Sequence, residues 1–187
     1  MHAVLATALV AVGAFLGTMV DNFVAFAAQA ALTEERRHQR IGSGHFFGVV
    51  VLVIIACGVA TALAEIPLRW IGILAIIPLA LALHAWRTRA VTRPVTKRGW
   101  TTTLLMTIGL GGDNLAVWVP LLRAGGLARG VMTTGIFLLL DLALISIALF
   151  VARRPRVMAL SQRFGPALTP VLYVGLAVVI LWQCHWF

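Results

Sequence analysis

Gly109-Leu-Gly-Gly-Asp-Asn-Leu-Ala-Val-Trp-Val-Pro120 decides how this chain is read. The stretch lies inside an apolar run long enough to cross a bilayer, and it places Asp113 at what would be membrane depth. A carboxylate there costs about 2.5–3.5 kcal/mol on insertion scales, so such a residue points to function by default. Gly111 and Gly112 before it and Pro120 after it weaken the helix. Broken backbone at that depth is tolerated only where it meets protein or a wet cavity. The stretch reads as a binding site.

The surrounding composition agrees. Of 187 residues, 61% are hydrophobic and 11% charged, and the mean hydropathy is +0.99, which excludes an ordinary soluble domain. Hydropathy places spans at about 4–32, 45–65, 67–86, 100–122, 130–152 and 166–185. The expected fold is therefore all-α and integral to the membrane, with six transmembrane helices in a single domain, 1–187. Residues 1–20 lack a basic start and run on into the first span, so no cleavable leader is expected.

The net charge of +9 would suit nucleic acid, but its placement reads as topology instead. Loops one, three and five hold Arg36, Arg37, Arg40, Arg87, Arg89, Arg93, Lys97, Arg98, Arg153, Arg154, Arg156 and Arg163. Only Arg69, Arg123 and Arg129 fall on the opposite side. The positive-inside rule then puts the basic loops in the cytoplasm and both termini outside. Trp70, Trp86, Trp100, Trp182 and Trp186 fall near span ends, where an interfacial belt belongs.

The two halves echo each other, repeat one being about 1–90 and repeat two about 96–187. Gly17, Asp21 and Asn22 match Gly109, Asp113 and Asn114 at a constant offset of 92. Three spans per half is an odd number, so the second half must be inverted relative to the first, and inverted repeats hold substrate near the midplane where they meet. Asp21 lies about 16 Å and Asp113 about 20 Å from the cytoplasmic ends of their spans at 1.5 Å per residue, near the middle of a core of about 30 Å.

Two facing carboxylates in low dielectric need a cation or shared protons. One divalent ion or two protons would each neutralise the pair, so exchange of metal for protons is chemically natural and electroneutral. Asn114 offers a carbonyl oxygen if the glycines unwind the helix, because successive helical residues point about 100° apart. Asn22 is the weaker candidate, with only Gly13 and Gly17 upstream. Asp141 is a third intramembrane carboxylate, to be weighed as a metal ligand, a proton carrier or an arginine's partner.

Other residues carry blander readings. Thr18 and Thr107 could offer hydroxyls, though back-bonding to the helix is commoner. His2, His38, His45, His84 and His185 stand at span ends or in loops without ligand spacing, so His45 is expected to be interfacial or to line a cytoplasmic entrance. Cys57 reads as a small core residue, and Cys57 and Cys184 make no metal pattern. Glu34, Glu35 and Glu65 read as solvated. Gly13-x-x-x-Gly17 reads as a packing seam. No nucleophile has an evident base, so no enzyme is expected, and no cofactor beyond a transported ion.

The chain resembles the CadD-type cadmium resistance transporters of the LysE superfamily of bacterial exporters. Gly112-Asp-Asn-Leu-Ala-Val-Trp-Val-Pro-Leu121 carries the likeness most specifically. Thr18-Met-Val-Asp21, Ile41-Gly-Ser-Gly-His-Phe-Phe-Gly48, Ile71-Gly-Ile-Leu-Ala-Ile-Ile-Pro78 and Leu172-Tyr-Val-Gly175 add to it. The resemblance implies six spans and export of a divalent cation such as cadmium, driven by an ion gradient. By position it makes Asp21, Asp113 and Asn114 site residues. Some members carry a cysteine where Leu110 stands here. An all-oxygen site would suit harder ions than cadmium, so manganese stays open.

The expected partners are a divalent metal ion as substrate, protons as coupling ion and the lipid bilayer, with no nucleic acid; a homodimer stays open. The rivals are export of an amino acid or another small cation, a non-transporting membrane scaffold, and an intramembrane aspartyl hydrolase.

Overall fold

A chain in lipid must close its backbone hydrogen bonds within itself, and every regular element described here is helical. The computed structural model describes residues 2–67, 76–88 and 99–154, with isolated positions between 70 and 73 and between 171 and 181. Helices α1 (His2–Thr18) and α2 (Val20–Ala31) form a pair bent by 54°. A 3-10 turn, Glu35–Arg37, leads into α3 (His38–Ala62). Then come α4 (Ile76–Thr88), α5 (Trp100–Leu110) and α6 (Gly112–Ala152). By length and composition α3, α6 and the α1–α2 pair are fit to cross a membrane. Span six and the motif at 172–175 lie largely outside the described residues, as do much of span three and of loops three and five.

Helix α6 is a hairpin. A straight helix would hold residues 118 and 137 about 28 Å apart, yet the rings of Trp118 and Phe137 stand 4.6 Å apart. The fold-back occurs at Gly126, whose φ of 67° and ψ of −179° are open to glycine alone. The connection expected over 123–129 is thus a single-residue reversal with helix running up to it on both sides. Arg123, just before the reversal, donates to the carbonyls of Leu63 (2.9 Å), Ala64 and Ile66 (3.1 Å), closing the open end of α3.

Helix α3 packs against α5 and α6, and α1 and α2 pack against α6. The α3–α5 seam rests on small residues. A Cβ at Gly44 would stand 2.6 Å from the Trp100 carbonyl oxygen, and one at Gly48 2.7 Å from Thr107 Cβ. At Gly13, in the seam expected with Gly17, a Cβ would meet nothing within 4 Å among the described residues, while Gly17 is buried. The core is apolar and holds Phe15, Leu52, Val49, Trp118 and Phe137. The outer surface is apolar as well, with Leu5, Leu9, Ile54, Leu127 and Phe150 all exposed. That is the reverse of a soluble protein and suits contact with lipid tails. Trp70 and Trp86 are exposed near the ends expected for an interfacial belt.

Candidate metal centre

Both halves break two residues before their aspartate. The α1–α2 break falls at Met19 and the α5–α6 break at Gly111, positions 92 apart. At Gly111 the cause is a glycine beside Gly112, and a Cβ there would run into the Leu52 side chain. At Met19 no glycine is needed: the Thr18 hydroxyl donates back to the Ala14 carbonyl at 3.0 Å, a bond that bends helices.

Each break starts a new helix, with Asp21 and Asp113 in its first turn. The positive end of a helix dipole therefore lies beside each carboxylate. The geometry repeats closely. Asn22 N–H donates to Asp21 Oδ1 at 2.8 Å, and Asn114 N–H donates to Asp113 Oδ1 at 2.9 Å. The two aspartates are half-buried and within Coulombic reach of each other. Both asparagines are fully buried, and the Asn22 amide and the Asn114 Oδ1 have no hydrogen bond among the described residues. The Asn114 amide donates to Met19 Sδ at 3.4 Å, so a thioether sulfur sits at the same junction. The glycines do not unwind Asp113-Asn114, as the sequence had suggested; those two residues are helical and the break lies just ahead of them.

Two layers of side chains come from residues flanking the breaks. In one, the rings of Phe15, Trp118 and Phe137 have centroids 4.6 to 6.2 Å apart, and Trp118 Nε1 donates to the Thr18 hydroxyl at 3.2 Å. In the other, Phe26 lies 4.7 Å from the His45 ring, whose Nδ1 is 2.9 Å from Thr107 Oγ1. These layers correspond residue by residue: Phe15 with Thr107, Phe26 with Trp118, and His45 with Phe137, each at the offset of 92. All six side chains are buried.

Among the described residues Asp141 pairs with no arginine. Its Oδ1 stands 3.2 Å from His45 Nε2, both side chains being fully buried. The contact is off the hydrogen-bonding line, and neither Asp141 oxygen has a hydrogen bond among the described residues. His45, which the sequence marked as interfacial or as lining an entrance, lies two turns inside helix α3, which starts at His38, and is fully buried. His38 itself is buried, with Nε2 at 3.2 Å from the Ala30 carbonyl and 3.1 Å from that of Thr33. Glu34 and Glu35 are exposed beside Arg36 and Arg153, and Glu65 is exposed, as expected of solvated residues. Cys57 is partly buried, 3.7 Å from Thr134 Oγ1. Cys184 and His185 lie outside the described residues.

Among the described residues no three His, Cys, Asp or Glu side chains converge as a ready-made metal cluster. A metal here would draw on the two carboxylates with the amide oxygens and thioether around them. No curated protein and no solved structure shows a match to the chain. The family model described as "Cadmium resistance transporter" matches residues 15–186, nearly the whole chain, and the protein belongs to that family of transporters.

Proposed function

We propose that the chain exports a divalent metal ion in exchange for protons, binding it between Asp21 and Asp113. The architecture of this reading is six spans in two inverted three-helix repeats, with alternating access as one half rocks against the other. The membrane is the inner one, with both termini outside. The observation that carries the reading is the pair of carboxylates set at matched helix breaks, near enough to feel each other's charge. One divalent ion neutralises the pair, and so do two protons.

The donor set argues for the class of ion. Asn114 and Asn22 supply amide oxygens that have no hydrogen bond among the described residues, a donor type that hard and borderline divalent ions accept. Met19 adds a soft sulfur, the kind of ligand that favours cadmium over manganese. An amino acid would need space for a side chain and a carboxylate's partner beside the same helix ends.

Purified protein in liposomes under an imposed pH gradient tests this, with cadmium, zinc and manganese followed separately. The expected result is proton-driven flux of metal that is lost in Asp21→Asn and in Asp113→Asn. Flux surviving both substitutions would remove the pair from the mechanism. Movement of lysine or another amino acid, with no metal moving, would replace metal by that substrate. No movement under any gradient would leave a non-transporting membrane protein.

A further inference from the structure

The His45–Asp141 couple is the costliest feature outside the metal centre. Two ionisable side chains from different helices meet at 3.2 Å, with neither exposed at all. Nothing in packing requires this, because the corresponding layer is built from three aromatic rings and puts Phe137 at the position matching His45. A ring of similar shape therefore fills the equivalent space without any titratable group.

The protonation chemistry is restricted. An imidazole and a carboxyl group that share one proton, on either partner, are neutral together. Removing it leaves a bare buried carboxylate, and adding one leaves a buried imidazolium; both are disfavoured in low dielectric. Such a couple accepts a proton from one side only as it gives one up to the other. Thr107 holds the ring through Nδ1, which leaves Nε2 as the nitrogen 3.2 Å from Asp141 Oδ1, off the hydrogen-bonding line; rotation of the carboxyl group would align the two for proton transfer.

The surroundings add no competing charge among the described residues. Against His45, α2 sets Phe26, α5 sets Thr107 and α6 sets Asp141, of which Asp141 is the titratable one. On its own helix, His38 lies two turns back and is held by the Ala30 and Thr33 carbonyls. Asp21 precedes Phe26 by five residues on α2, and Asp113 opens α6. The couple thus sits between the aspartates and the end of the bundle bearing the Arg36, Arg37 and Arg40 loop.

The geometry points to His45 and Asp141 as the proton station of the exchanger, through which the coupling proton passes between the aspartate pair and the basic-loop side. This rests on the reading of the chain as a proton-coupled metal exporter. It assigns to the couple a role separate from holding the metal.

The test compares His45→Gln and Asp141→Asn with the unaltered protein in liposomes, by two measurements. Equilibrium exchange of labelled cadmium across the vesicle wall needs metal binding and reorientation but no proton step. Uphill cadmium movement driven by a pH gradient needs both. The expected result is exchange retained and gradient-driven movement lost in both variants. Retained gradient-driven movement would overturn the assignment. Loss of both activities in both variants would also overturn it, placing the couple in the metal path or the scaffold. If the unaltered protein exchanges cadmium but ignores a pH gradient, the proton-coupled reading fails and the station falls with it. If the unaltered protein moves no metal at all, the metal reading itself has failed.

Discussion

The rings of Trp118 and Phe137 lie 4.6 Å apart, tilted by 39°, although the two residues are nineteen positions apart along nearly unbroken helix. Only the reversal at Gly126 makes this contact possible. Its backbone lies in a region that side-chain-bearing residues occupy at a cost of about 1–3 kcal/mol. Gly126→Ala should lower stability by that amount, read as a reduced thermal midpoint in detergent. A midpoint equal to that of the unaltered protein would show that the reversal tolerates a Cβ.

Met19 offers a different test, of selectivity. Met19→Leu keeps the volume of a fully buried side chain and removes only the sulfur. Cadmium flux relative to manganese flux should fall by about tenfold, equivalent to about 1.4 kcal/mol. Manganese flux should change little. An unchanged ratio would mean that the sulfur does no more than accept the Asn114 amide.

Arg123 joins two elements that are distant in sequence. Its guanidinium serves the carbonyls of Leu63, Ala64 and Ile66 at the end of α3. Arg123→Met removes the donor and leaves those acceptors to find water. The expected loss is about 1–3 kcal/mol, visible in thermal unfolding and as faster proteolysis between residues 63 and 67.

Gly44 lets α3 approach α5 until a Cβ would stand 2.6 Å from the Trp100 backbone oxygen. Backbone cannot step aside as a side chain can. Gly44→Ala should cost about 1–3 kcal/mol by overpacking. Gly13→Ala, where a Cβ would meet nothing within 4 Å among the described residues, should be tolerated. Unfolding midpoints of the two variants side by side check the contrast.

The parts of the site that the sequence disclosed are those with a local signature. Gly111 and Gly112 announce the break ahead of Asp113, and the 92-residue echo locates Asp21. The matching break at Met19 has no such signature, since it stems from a threonine hydroxyl bonding back within its own helix, an alternative the side chain could equally have left unused. His45 was obscured by hydropathy. The polar residues His38, Gln39 and Arg40 mask the start of α3 and make an internal histidine look terminal. Its partner lies 96 residues away on another helix, and no spacing rule connects them. The reversal at Gly126 illustrates the opposite case: a glycine-containing loop was legible, but that one residue suffices to turn the chain depends on its neighbours remaining helical.

The two layers occupy corresponding positions without being copies of each other. All three of their pairs differ: Phe15 against Thr107, Trp118 against Phe26, and Phe137 against His45. One layer is built from three aromatic rings, whereas the other sets one phenylalanine beside an imidazole and a hydroxyl. An echo in the sequence therefore does not make the two ends of the fold alike, and whatever passes one layer meets different chemistry at the other.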